Sequence, residues 1–353
     1  MFFASDNSGP AHPAILAGLG RENPGYARGY GADDATARVV ARLREIFEAP
    51  GAAVHLVATG TAANALALAT LARPWDAVFC HADSHAEEDE CGAPEFFTGG
   101  AKLVTLPGAD AKIDPEALAV ALARTGAMGV HGVQRGPLTL TQATERGTLY
   151  SLTEITRLAE IAHSAGSRVH MDGARFANAL VALGCTPAEM TWKAGVDALS
   201  FGGTKNGCLG VEAVILFDPS LSWEFELRRK RAGHLFSKHR YLAAQMEAYL
   251  ADGLWLDLAS RANAAAARLA AGLAQVPGAR LLHPVEANMI FAGWPRAGHA
   301  RVQAAGAAYY PWPATQAPEG PPEEELTARL VCDWSMEAGE IDRFLALLAD
   351  AAA

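Results

Sequence analysis

The chain has 353 residues, half of them apolar and 19% charged, which excludes a disordered or coiled-coil protein and predicts one large domain plus a smaller one. A formal charge of −10 weighs against nucleic acid or an anionic membrane as a main partner, though not against a local phosphate site. No uncharged apolar run approaches the ~20 residues of a membrane span, Met1-Phe2-Phe3-Ala4-Ser5-Asp6 does not read as a signal peptide, and the five scattered cysteines lack CxxC spacing, so a cytoplasmic protein with reduced thiols is expected.

Residues 1–35, rich in Gly, Pro, Asn and Asp, read as loop and turn. Val39, Val40, Leu43, Ile46 and Phe47 then fall at helical spacing within Thr36 to Glu48. An apolar strand from Ala53 to Ala58 runs into Thr59-Gly60-Thr61 and an alanine- and leucine-rich helix. That junction offers backbone N–H groups and a hydroxyl to an anion, and reads equally as a plain threonine cap. Ala77 to His81 and Lys102 to Leu106 are strand-like, and Asp114-Pro115-Glu116 opens a helix that runs to Arg124. Pro137 to Gln142 reads as a strand and Thr153 to Ala165 as an amphipathic helix closed by Gly166. Strands follow at Ser167 to Asp172, Val196 to Phe201 and Val211 to Phe217. This alternation predicts an α/β domain over residues 1–250 with a mostly parallel, mixed sheet between helices, whose ligands bind beyond the strands' carboxyl ends. Over residues 251–353 a long helix near Leu258 to Gln275, three short strands (Arg280–Leu282, Met289–Phe291, Leu330–Cys332) and a helix from Ala338 predict a small α+β domain. Tyr309 to Glu324, Pro-rich and acidic, reads as an exposed loop.

Two strand ends carry the chemistry. His170-Met171-Asp172-Gly173-Ala174-Arg175 brings a carboxylate into a pocket, and Ser200-Phe201-Gly202-Gly203-Thr204-Lys205 delivers an amine. A pyridoxal 5′-phosphate (PLP) site needs that pair: the lysine holds the aldehyde as a Schiff base, and the aspartate keeps the ring nitrogen protonated. Taken alone, Asp172 reads equally as a turn cap, and Lys205 has the lesser alternative of a solvated turn lysine. Arg175 could reach the ring's phenolic oxygen or a substrate carboxylate, Thr204 could reach the phosphate, and His85 could stack on the ring face. The basic cluster Arg228 to His234 is either a solvated helix face or a source of phosphate-neutralising or proton-handling groups. The histidines and carboxylates of HADSHAEEDE lack metal-ligand spacing, so no metal is expected.

HMDGARFANAL, SFGGTKNG, FFASDN, YARGYGADDATARVVARL, ATGTAANALAL and ADSHAEED together resemble the L-threonine aldolases, fold-type I PLP lyases of the β-eliminating lyase group, in the low-specificity branch that includes phenylserine aldolases. The resemblance spans nearly the whole chain in order. It implies Lys205 as the Schiff-base lysine, Asp172 as the ring-nitrogen partner, His85 as the stacking histidine, and Gly60, Thr61 and Thr204 around the phosphate. Arg175, Ser5 and Arg329 would hold the substrate carboxylate, so residues 1–35 would contribute to the site. Tyr30 and Lys230 would reach in from a neighbouring subunit of a homodimer or homotetramer. Where many members carry ENTHN this chain has TQATE, which sets Thr144 against their histidine near the substrate hydroxyl and leaves His85 or a held water to take that proton. The expected reaction is cleavage of L-threonine, L-allo-threonine or a related β-hydroxy-α-amino acid to glycine and an aldehyde. Alternatives with the same pair are a β-eliminating lyase, an aminotransferase or a non-catalytic PLP-binding protein. A nicotinamide enzyme is disfavoured because the glycine turn lacks GxGxxG spacing.

Overall fold

The computed structural model describes residues 1–350. Its main sheet contains β1 (Ala53–Val57), β2 (Asp76–His81), β3 (Lys102–Leu106), β4 (Gln134–Thr141), β5 (Val169–Gly173), β6 (Ala198–Gly202) and β7 (Glu212–Leu216), in the order β1-β7-β6-β5-β4-β2-β3. β7 runs antiparallel to both β1 and β6, and every other pairing is parallel. β1, β2, β5, β6 and β7 are buried throughout, as expected of strands covered on both faces. Gly136-Pro137 lies inside β4, where the register with β2 shifts between Ala77 and Phe79, because proline has no N–H for the ladder.

The helix Gly60–Leu71 is buried from Ala62 to Thr70, and its alanines let it pack closely between β6, β7 and the helix Ser222–Arg231. Phe47, Phe176 and Phe201 meet with ring centroids 5.6–5.8 Å apart and form the aromatic centre of the largest apolar cluster.

The second sheet is antiparallel: β8 (Arg280–Leu281), β9 (Met289–Pro295), β10 (Tyr310–Pro311) and β11 (Glu325–Val331), ordered β10-β11-β9-β8. The helix Leu254–Leu273 packs against both the helix Phe176–Leu183 of the large unit and the helix Ala338–Ala349 of the small one. Phe3 belongs to the small unit's core, 4.9 Å from Phe344 between ring centroids.

Two expectations change. Residues 1–35 are not all loop, since Pro13–Glu22 is a helix that lies on Arg240–Leu250. The stretch from Tyr309 is not all exposed loop either: Tyr309 is buried, and Tyr310–Pro311 pairs with β11. No described helix is long and apolar enough to cross a membrane.

Candidate active site

The carboxyl ends of β4, β5 and β6 open onto a cavity of about 350 Å³. Asp172 and Ser200 are partners in the β5–β6 register, so the turn after β6 carries Thr204 and Lys205 to the cavity that Asp172 lines. Gly202 makes this possible. A Cβ there would lie 2.3 Å from Ala174 O, so only glycine lets the end of β6 press against the turn after β5. Thr59 Oγ1 accepts from Ala62 N at 3.2 Å and caps the helix Gly60–Leu71. The N–H groups of Gly60 and Thr61 find no acceptor within the helix, and both residues line the cavity.

Asp172 is fixed from two sides. Oδ2 accepts from Asn64 Nδ2 at 2.8 Å and Oδ1 from Ala174 N at 3.0 Å. Asn64 also donates to Glu90 Oε1 at 2.9 Å, and that oxygen lies 2.9 Å from His85 Nδ1. A single chain of hydrogen bonds thus links Asp172 to His85 through two buried side chains. The bond to Glu90 raises the His85 pKa and outweighs burial, which lowers it. Burial pushes Glu90 up despite its bonds to His85 and Asn64. Behind Asp172, His170 bonds Thr139 Oγ1 at 2.8 Å and Ser200 Oγ at 2.9 Å, and burial pulls its pKa down to about 4.

Arg175 lines the cavity, but its Nε and Nη2 donate to Asp6 at 2.7 and 2.9 Å. Asn288 Nδ2 donates to the same carboxylate at 3.0 Å. Burial would raise the Asp6 pKa, yet Arg175 and Lys205 outweigh it and hold the carboxyl below its usual range. Glu212, at the start of β7, accepts from Gly203 N at 2.7 Å, and burial raises it to about 7 against the pull of Thr204, Gly203 and Lys205.

The remaining sequence candidates spread outward. Arg329 stacks over Tyr310 and Trp312 at 5.4 and 5.8 Å, and its buried Nε has no partner among the described residues. Ser5 Oγ accepts from Asn7 N at 3.1 Å as a cap, and Asn7 is the member of that segment lining the cavity. Lys230 Nζ sits 4.6 Å from the centre of the Tyr30 ring, both residues are exposed, and neither lines this chain's cavity. Thr144, the position set against the family's histidine, does not line the cavity. It is fully buried, its hydroxyl donates to Asp110 O at 3.2 Å and lies 2.7 Å from Thr148 Oγ1, and Ala143 and Glu145 line the cavity instead. Asp6, Asn64, Glu90, Glu145 and Glu212 were not singled out from sequence. Only Glu145 had a signal there, as the neighbour of the position set against the family's histidine.

Comparisons with known proteins agree with one another. The beta-eliminating lyase family model matches residues 3–293. A Pseudomonas aeruginosa protein named low specificity L-threonine aldolase is 42% identical over 336 residues, covering 95% of this chain and 93% of that one. A protein of the same name from a Pseudomonas species is 44% identical over 290 residues, covering 82% and 83%. The solved structure of a Leishmania major threonine aldolase superposes with a TM-score of 0.91 at 30% identity, covering 100% of this chain and 99% of that one. The chain belongs to the beta-eliminating lyase family.

Proposed function

We propose that this protein is a PLP-dependent lyase that cleaves L-threonine, L-allo-threonine or a related β-hydroxy-α-amino acid to glycine and an aldehyde. The observation that carries the reading is the convergence of Asp172, Lys205 and the Gly60–Thr61 helix terminus on one cavity. Its volume is of ligand size, and a Cβ added at Gly60 would meet nothing within 4 Å, so the phosphate cradle is open. When bound, PLP supplies an electron sink for the pair released as the Cα–Cβ bond breaks.

The protein's part is to hold and orient. Gly60, Thr61 and Thr204 would bind the phosphate, with Lys230 of a second copy adding charge. Asp172, pinned by Asn64 and Ala174, would face the ring nitrogen, and Lys205 would hold the aldehyde carbon. His85 would cover the ring face, set by Glu90. Arg175, already oriented by Asp6, and Arg329, with its unpartnered Nε, would grip the substrate carboxylate with Ser5 and so fix which bond at Cα breaks. The exposed Tyr30–Lys230 pair supports a homodimer or homotetramer with shared sites, and the five free cysteines are consistent with the cytoplasmic location we infer.

Reconstitution with PLP tests the reading. We expect a Schiff-base absorbance in the wild type that is absent in Lys205→Ala, and aldehyde release from threonine, allo-threonine or phenylserine but not from alanine. A wild type without that absorbance would sink the proposal.

A further inference from the structure

The strand that carries Thr141 continues past its end, and its side chains separate. Thr141, Ala143 and Glu145 line the cavity. Between them, Gln142 exchanges hydrogen bonds of 2.9 and 3.0 Å with the Tyr150 backbone, and Thr144 is tied to Asp110 and Thr148. The carboxylate therefore enters the site one position beyond the residue that a motif alignment had set against a histidine. Among the described residues Glu145 has no hydrogen-bond or ion-pair partner, although Lys205, Asp172, Arg175 and His85 all act on it electrostatically, as Glu145 does on Arg329. Arg175 is not free to bind it through Nε or Nη2, because Asp6 occupies both. His85 is a poor acceptor, since its bond to Glu90 favours the protonated ring.

We propose that the Glu145 carboxylate accepts the β-hydroxyl proton of the bound substrate. The proposal rests on the function argued above and gives one of its steps an owner. The hydroxyl O–H bond breaks and its proton passes to a Glu145 oxygen. The O–H electron pair becomes the second bond of the new carbonyl, and the Cα–Cβ pair remains on the α-carbon side. The aldehyde leaves, the α-carbon takes up one proton to give glycine, and Glu145 loses its proton to solvent. Atoms and charges balance without a further reactant. Burial raises the Glu145 pKa against the opposing pull of Lys205, Arg175 and His85, and with the help of Asp172, which makes its carboxylate a stronger base than a solvated one.

The test is Glu145→Gln in the PLP-loaded enzyme, with glycine as an internal control. Exchange of glycine's α-hydrogen with solvent needs the cofactor and Lys205 but no hydroxyl proton. We expect kcat on threonine to fall at least ~100-fold with KM changed by less than about threefold, and glycine exchange to stay within about twofold. In the cofactor-free protein, infrared difference spectra should show a carboxylic C=O band titrating above the ordinary glutamate range in the wild type and missing in the variant. Unchanged kcat with tighter glycine binding would overturn the proposal and make Glu145 a counter-ion of the arginines. Loss of both reactions in the variant would also overturn it and make the residue structural. Absence of glycine exchange in the wild type would instead overturn the functional reading itself.

Discussion

At the scale of single residues, the site depends on groups whose meaning comes from their neighbours. Asp172, Lys205 and Arg175 were legible because each ends an apolar run in a short motif. Asn64 was not, since one amide in an alanine-rich helix looks like any polar residue, and Glu90 was hidden within the acidic HAEEDE run. Folding distinguishes Glu90 from that run by burying it between Asn64 and His85. This predicts a pH signature. His85 starts from an ordinary value of 6.5 and is raised, so the stabilisation from its pairing with Glu90 is complete below about 6.5 and is lost as pH rises through the raised value. His170 behaves in the opposite sense and stays neutral down to about 4. Imidazole resonances followed from pH 4 to 8 should show His85 titrating above 6.5 and His170 silent until the acid end. Glu90→Gln should lower the His85 midpoint, and an unmoved midpoint would remove Glu90 as the cause.

At the scale of elements, the main-sheet strands were read within a few residues because buried strands are apolar runs bounded by turns. The helix Pro13–Glu22 was missed for a physical reason. Gly18 and Gly20 break its apolar pattern, and Gly18 is there for contact, since a Cβ on it would lie 2.9 Å from the Ala248 Cβ of Arg240–Leu250. β9 was read too short because Gly293 interrupts it, and there too a Cβ would strike a side chain, that of Glu325 on β11. Gly18 and Gly293, which look like breaks in the sequence, are close approaches in the structure, whereas a Cβ at Gly20 would meet nothing within 4 Å. The same logic makes Gly202 a sensitive point between β5 and β6. Gly202→Ala should cost about 1–3 kcal/mol by overpacking and weaken PLP binding at least several-fold, because the Asp172 turn must move. Thermal unfolding and a PLP titration check both, and a variant with native PLP affinity would show that the two strand ends shift independently of the site.

At the scale of the molecule, two sheets with separate cores are joined by the helix Leu254–Leu273 and by the N-terminal segment. The change from βα alternation to short antiparallel strands suggests a division near residue 250, but the sequence does not show that Phe3 packs with residues some 340 positions away. Phe3 N donates to Ala308 O at 2.7 Å, and Phe3 O accepts from Val331 N at 2.8 Å. Three residues further on, Asp6 holds Arg175 in the other unit. Phe3→Ala should cost about 3–5 kcal/mol, measured by urea unfolding, and should also weaken binding of glycine's carboxylate, whereas a purely local core effect would leave that affinity intact. The three-residue step from Phe3 to Asp6 can span at most about 10 Å, too short to absorb a rotation of the small sheet as slack. It works as a drawbar: displacement at one end is delivered at the other. By reciprocity, a ligand seated on Arg175 should slow amide exchange at Val331, two positions beyond Arg329 on β11.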